Sequence, residues 1–523
     1  MDSIFQSYDY NSAPGLSVGV VKGSELLFKK GFGLANLDYG IKNSETSVFD
    51  VGSIAKQFTA ACIWTLLDSG KISLDDDVRK YLPELPFYGD TIKIRHMLNH
   101  TSGLRNYSSI LELAGVDYTK KQEFNNQSVF ELACRQKGLN NIPGEKVLYG
   151  NTPYNLLTII IERITNQSFG EYAIENLFKP MGMESTQYRI TNTAIVKNRA
   201  TGYKKEGDTG FIQINRIESC FGAGSLWSSV DDLMIWSSNF INPTSETAAL
   251  VEFLLHKDKL LSGEPSSYSR GVMVDDYKNY ETIHHGGFTA GYRAQIMTVP
   301  DLDLSVMILT NSQSIDPGAL VYQVLDLFID QSEKEQKGKK RYRHKAKELA
   351  KFTGDYQEIN SSLKMNIALQ GDTLKSKSSL GRSYTSLVSK NKNTLYRLNA
   401  ESVKYIFNPE DQPCDLIVYF GATPFYFERI KLVDPDHIKL EDYCGDFYST
   451  ELEVTYQVAL KENQLYLSYP NNDGIPLVPG PKDEFGNGYR TKYAFSRNES
   501  NEIIKLMVAS EGTVKNIEFL KKT

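Results

Sequence analysis

The sequence predicts a multidomain chain: an α/β domain over residues 1–332, with an antiparallel sheet covered by helices, and then two antiparallel β-barrels. Three observations lead there. Strand-like apolar runs stand at both ends of the first 330 residues, with helical patterns between them. A charged stretch almost without apolar residues follows. Beyond it, one pattern of residues is written twice.

In chain order, Leu16 to Val21 and Leu26 to Phe32 are β-branched and apolar runs separated by Lys22-Gly23, the signature of a hairpin. From Gln57 to Leu67 apolar residues recur at helical spacing and stop at Asp68-Ser69-Gly70, so a helix is expected to open near Ser53. A short helix is expected between Ile92 and Leu104. Tyr149 and Asn151 fall on a loop ahead of a longer helical pattern, Tyr154 to Ile164. Gly222-Ala223-Gly224-Ser225 is a flexible turn before a capped helix start at Val230. His284-His285-Gly286-Gly287-Phe288 precedes two strands, Ala294 to Val299 and Leu304 to Leu309, joined by Pro300-Asp301-Leu302-Asp303, and an amphipathic helix covers about Pro317 to Ile329.

Residues 333–345 read as a solvated linker, not as a nucleic-acid patch, because a single basic run beside glutamates in an acidic chain is ordinarily just solvated. After it, Phe352-Thr353-Gly354-Asp355-Tyr356 matches Tyr443-Cys444-Gly445-Asp446-Phe447 at an offset of 91 (445 minus 354), and Lys404-Tyr405-Ile406-Phe407 matches Lys492-Tyr493-Ala494-Phe495 at 88. Each copy consists of short strand-like segments broken by Gly, Asn and Asp. Two barrels, residues 346–432 and 437–523, follow from this, since closure removes exposed strand edges.

The chain has 523 residues, a net charge of -6 and 41% hydrophobic residues, enough for real cores and with no electrostatic reason to bind nucleic acid or an anionic membrane. No run approaches the ~20 apolar residues of a membrane helix, and Met1 to Ser7 lacks a basic and apolar leader pattern, so a cytoplasmic location is expected. Five scattered cysteines without Cys-x-x-Cys suit free thiols in a reducing compartment. No metal and no cofactor is expected, because no other histidine or carboxylate stands at ligand spacing from His284-His285.

Three sets of residues carry chemistry. Ser53-x-x-Lys56 places an amine beside a hydroxyl on one helical face, at the helix end that favours developing negative charge. A lysine whose pKa is lowered by burial can take the serine proton. Tyr149-x-Asn151 adds a phenol that can relay that proton and an amide that can orient the base or hold a carbonyl. In His285-Gly286-Gly287 the glycines let a strand backbone approach a substrate and offer an N–H to an oxyanion. Each set alone has a bland reading, as a helix cap, a turn and a polar strand start. Their order along one chain joins them.

In that order they resemble the β-lactamase-related serine hydrolases of the penicillin-recognising fold, with Tyr149-Gly150-Asn151 in the form of the class C branch. Val51 to Ala60, His100-Thr101-Ser102-Gly103-Leu104, Pro180-Met181-Gly182-Met183 and Gly222-Ala223-Gly224-Ser225-Leu226 strengthen the match, which covers about residues 12 to 330. The resemblance implies a β-lactamase/transpeptidase-like domain with an all-helical region, followed by lipocalin-like barrels. By the same resemblance Ser53 is the acylated nucleophile, Lys56 and Tyr149 the proton-transfer pair, and Asn151 and His285 substrate-side residues. The N–H groups of Ser53 and Phe288, the latter after Gly287, would form the oxyanion hole.

Histidine stands where true β-lactamases and transpeptidases carry lysine. That is similar to the esterase and aminopeptidase branches, and the overall layout is similar to the bacterial D-aminopeptidase branch. A serine hydrolase acting on small peptides, amides or esters is therefore expected, with an esterase or weak β-lactamase as the alternative within the fold and a non-catalytic binding or sensor protein as the alternative outside it. A homodimer is the assembly carried with this reading. In the aminopeptidase branch an acidic residue on a loop of the last barrel receives the substrate's amino group. The loop Pro470 to Gly488, with Asp473, Asp483 and Glu484, holds that place by position.

Overall fold

The computed structural model of the chain describes residues 1–523 except 122, 209, 330–341, 343, 360, 382, 399, 410–412, 421–422, 432–438, 488–489 and 523. Most of the linker expected at 333–345 lies outside the described residues.

The first domain is built on a six-stranded antiparallel sheet assembled from both ends of its sequence: β1 (Leu16–Lys22), β2 (Glu25–Phe32), β3 (Met273–Tyr277), β4 (Tyr280–Thr289), β5 (Tyr292–Val299) and β6 (Leu304–Thr310), in the order β3-β4-β5-β6-β1-β2. Residues far apart in sequence meet where β1 pairs with β6, Val18 opposite Ile308. Period-two alternation sorts the side chains. Leu16, Val18, Val20, Val306 and Ile308 pack with Phe5 and the helix Pro317–Leu325 on one face. Met307, Leu309, Ala294 and Ile296 face a larger core that contains the helices Ala55–Asp68, Thr152–Thr165 and Val230–Ser238. The Ala55–Asp68 helix is buried from Ala55 to Ile63 without a break, so it runs through the interior.

Between the sheet's two halves lies the helical region expected from the resemblance. It includes the helices Ile94–Leu98, Tyr107–Leu113 and Asn126–Arg135.

The duplicated pattern folds twice. Eight strands from Gly354–Glu358 to Thr423–Arg429 close into a barrel through Tyr356 opposite Arg429. Nine strands from Gly445–Ser449 to Val514–Lys521 form the second rolled sheet. Its two edge strands, Asn472–Pro476 and Val478–Pro479, are separated only by Leu477, so the sheet must curl until its edges meet. The glycines that open the copies share a conformation closed to other residues, Gly354 at φ +148° and Gly445 at φ +140°.

The second rolled sheet is not an appendage. Tyr107, Ile110, Leu111, Leu113, Val129 and Leu132 of the helical region share one apolar core with its Phe447, Tyr456, Leu467 and Phe519. Polar ties follow the same seam: Tyr456 donates its hydroxyl to Leu113 O at 2.6 Å, and Arg105 pairs with Glu451, both side chains buried. Among the described residues no helix is long and apolar enough to cross a membrane.

Candidate active site

Ser53 lies in the 3-10 turn Gly52–Ile54, which runs straight into the Ala55–Asp68 helix. Gly52 has φ +54°, and a Cβ there would stand 2.8 Å from the amide nitrogen of Phe288. A Cβ on Gly287 would meet Val51 O at 1.9 Å. Only glycines therefore allow β4 to lie against the Ser53 turn. The edge of β4 is available for this because β3 pairs no farther than Met273 opposite His284. Beyond that point His285 to Phe288 pair with β5 alone, and the Phe288 side chain is 66% exposed at the rim.

Lys56 is fully buried, and its Nζ lies within hydrogen-bond distance of three oxygens, Ser53 Oγ at 3.0 Å, Asn151 Oδ1 at 2.9 Å and Ala223 O at 2.9 Å; a neutral amine spends its two N–H groups on Asn151 and Ala223 and keeps its lone pair for the Ser53 hydroxyl. None is a carboxylate. Burial without a counter-charge drives its pKa well below the usual 10.5, which favours the neutral amine that a general base must be. The amine also lies 4.7 Å from the centre of the Tyr149 ring. Burial raises the pKa of the Tyr149 phenol and a hydrogen bond with Ser53 opposes that rise, so the phenol is protonated at neutral pH and stands beside Ser53.

Asn151 precedes the Thr152–Thr165 helix, and its side chain does not cap that helix but accepts from Lys56. His285 is 2% exposed, and its ring nitrogens are both engaged, Nδ1 with Gly286 O at 2.6 Å and Nε2 with the Tyr268 hydroxyl at 3.0 Å. A carbonyl only accepts, so Nδ1 carries the proton and Nε2 accepts from Tyr268. Burial, with the nearby Lys56 amine, lowers its pKa to about 3, and the ring stays neutral.

Ser53, Lys56, Tyr149, Asn151, His285, Gly287 and Phe288 thus converge. The barrel residues do not join them. Asp483 is spent inside its own barrel, accepting from the Tyr443 hydroxyl at 2.6 Å and paired with Arg497 at 3.1 Å. Glu484 reaches Lys492 and the first barrel's Gln357. Asp473 is exposed on the edge strand Asn472–Pro476, and the expected loop is largely strand. Its start docks at the C-terminal end of the Tyr107–Leu113 helix, where Asn471 donates to Gly115 O at 2.8 Å. At the opposite end of that helix, beside Asn151, stands the turn Glu511-Gly512-Thr513 instead.

Sequence reasoning gave no role to several residues that shape the site. His100, 1% exposed, packs on Tyr149 with ring centres 4.3 Å apart and on Tyr268 at 4.6 Å. The uninterrupted polar run Asn99-His100-Thr101-Ser102, buried throughout, was the available signal. Asp50 accepts from Gly52 N–H at 2.9 Å and so fixes the turn ahead of Ser53; burial raises its pKa to about 6, with Arg216 and Arg189 nearby opposing the rise. No group of three or more His, Cys, Asp or Glu suited to a metal occurs among the described residues.

The profile of the beta-lactamase family matches residues 1–326. The chain belongs to the beta-lactamase family. Over 310 residues it is 27% identical to protein flp of Staphylococcus aureus (strain N315), covering 58% of this chain and 60% of that relative. A D-aminopeptidase of Gluconobacter oxydans is 30% identical over 305 residues, covering 58% of this chain and 56% of the relative, so each alignment takes in little more than half of a curated protein. Among solved structures, the octameric penicillin-binding protein homologue from Pyrococcus abyssi superposes with a TM-score of 0.55 at 20% identity, over 89% of this chain and 96% of its own. The D-amino acid amidase from Ochrobactrum anthropi does so at 0.53 and 19%, over 62% and 98%. At these identities the likenesses carry the fold, a beta-lactamase-like domain with the barrel-like sheets behind it.

Proposed function

We propose that this beta-lactamase-family protein is a serine hydrolase that cleaves amide or ester bonds through an acyl-enzyme on Ser53. The observation that carries the reading is the buried, carboxylate-free Lys56 amine 3.0 Å from Ser53 Oγ. Lys56 takes the hydroxyl proton as Ser53 attacks the carbonyl carbon, and Tyr149 passes a proton to the leaving amine or alkoxide. Water then releases the acid by the same path in reverse. The Ser53 and Phe288 amides stabilise the oxyanion. His285, whose two ring nitrogens are engaged, acts by holding Tyr268 and the β4 edge in place and not as a proton carrier.

Small peptides and amino-acid amides are the favoured substrates, because a D-aminopeptidase is among the relatives and no lysine replaces His285 to receive a β-lactam carboxylate. The test is a panel of p-nitroanilides of D- and L-amino acids, p-nitrophenyl esters and a chromogenic β-lactam, on wild type and Ser53→Ala. Turnover of a D-amino-acid anilide above the other probes, lost in Ser53→Ala, is the expected result. Preference for esters moves the protein to the esterase reading, and turnover that persists in Ser53→Ala removes the hydrolase reading altogether. Self-association belongs to the same proposal, since the Pyrococcus abyssi homologue is described as octameric.

A further inference from the structure

Asn106 stands at the start of the Tyr107–Leu113 helix, in the position where asparagine ordinarily caps the first turn, yet its side chain caps nothing. Its Oδ1 instead accepts the backbone N–H of Asn151 at 3.0 Å. Asn151 repeats the departure, forgoing its own helix cap to accept from Lys56 at 2.9 Å. Two caps, each worth about 1 kcal/mol, are given up in succession along one path to the base.

The path continues into the second barrel. Asn106 donates its own N–H to Thr513 O at 3.2 Å, in the turn between the strands Ile503–Ser510 and Val514–Lys521. Thr513 O also accepts from Asn140 Nδ2 at 2.7 Å, and Asn140 Oδ1 receives Lys515 N–H at 3.0 Å. Ser109 Oγ fastens the same turn, bonding Thr513 Oγ1 at 3.0 Å and Glu511 Oε2 at 3.1 Å. Asn106 is 8% exposed and Asn140 1% exposed, so water does not stand in for these partners.

The geometry points to Asn106 as a positioning residue through which the Glu511–Thr513 turn of the last barrel holds Asn151, and with it the Lys56 amine, in place beside Ser53. The inference rests on the proposed role of Lys56 as base. Proton transfer requires heavy atoms about 2.6–3.2 Å apart, and a misplacement of about 1 Å costs on the order of 10²-fold in rate. A neutral amine held by two acceptors, Asn151 Oδ1 and Ala223 O, is sensitive to the loss of either. The barrel is then a working part of the active site through the hydrogen bonds of that turn.

The test uses the full chain with Asn106→Ala, Asn140→Ala, the pair together and Asn106→Asp. Amide hydrogen exchange over residues 147–152 is expected to quicken ~10-fold in each single variant, with the β1–β6 sheet unchanged. With the panel's best substrate, kcat per titrated Ser53 is expected to fall ~10-fold at a KM within ~2-fold of wild type. The double variant should be no slower than Asn106→Ala, since both act on one path. Asn106→Asp keeps an oxygen facing the Asn151 N–H and should regain most of the exchange protection. Unchanged exchange in both single variants overturns the inference, as does faster exchange with unaltered kcat, or an effect confined to KM. If Asn106→Ala does not fold, Asn140→Ala decides alone. A wild type that neither turns over nor labels at Ser53 would defeat the hydrolase reading, and the exchange data would still show whether the barrel holds the Asn151 loop.

Discussion

Lys56→Met and Tyr149→Phe are each expected to lower kcat by ~10²-fold or more with the fold intact, the usual span for losing general acid–base help. Methionine matches the lysine stem in length and removes an amine whose burial is unfavourable, so a drop in activity without a drop in thermal stability identifies the amine's chemistry as the cause. The pH profile carries a second signature. Lys56 has its pKa lowered by burial, so the neutral base fills, and the rate rises, as pH increases through that lowered value, well below 10.5. His285, near 3, contributes no limb between pH 5 and 9. Folding has the same sign: below 10.5 the unfolded chain binds a Lys56 proton that the folded chain releases, so this group makes stability rise with pH over that window. Rates within a few-fold of wild type in Lys56→Met would mean that another group is the base.

Glu451→Ala is expected to destabilise the protein by ~3–5 kcal/mol, the cost of leaving a buried charge without its partner. Arg105 and Glu451 are 3% and 5% exposed at the seam between the helical region and the second barrel. The guanidinium also donates to Gln136 Oε1 at 3.1 Å and Asn516 O at 3.2 Å, and Glu451 Oε1 accepts Lys137 N–H at 3.1 Å, so both ends lie in a buried hydrogen-bonded network, in which Arg105 Nε has no partner among the described residues. Urea or thermal unfolding of Glu451→Ala, Arg105→Ala and the double variant measures it. The double variant should cost less than the sum of the singles, because it removes both charges. A single-variant loss below ~1 kcal/mol would show that water enters the seam.

How far the sequence could be read differs by region, for physical reasons. Ser53 and Lys56 were legible because three-residue spacing puts them on one helical face. The two barrels were legible because duplication at an offset of 91 preserves register, and the strands Thr373–Ser378 and Gln464–Tyr469 begin that far apart (464 minus 373). The hairpin β3–β4 was not found as such. Its sequence is polar, and its turn, Lys278-Asn279 with φ +50° and +72°, lacks the glycine that usually announces two left-handed residues. The segment Pro470 to Gly488 misled in the other direction. It was placed as a loop by its position alone, whereas it carries the edge strands Asn472–Pro476 and Val478–Pro479, whose Pro476 and Pro479 stand where a missing N–H costs no ladder bond. The seam with the barrel was invisible because its partners, such as Asn106 and Thr513, are some 400 residues apart and share no periodic signal.

The central claim, nucleophilic attack by Ser53, is tested most directly by intact-mass spectrometry after a fluorophosphonate or a slow ester substrate. The expected result is one adduct of the probe's acyl or phosphonyl mass, mapped by peptide digestion to Ser53, absent in Ser53→Ala and formed far more slowly in Lys56→Met. No adduct on wild type, or one that persists in Ser53→Ala, would contradict the account.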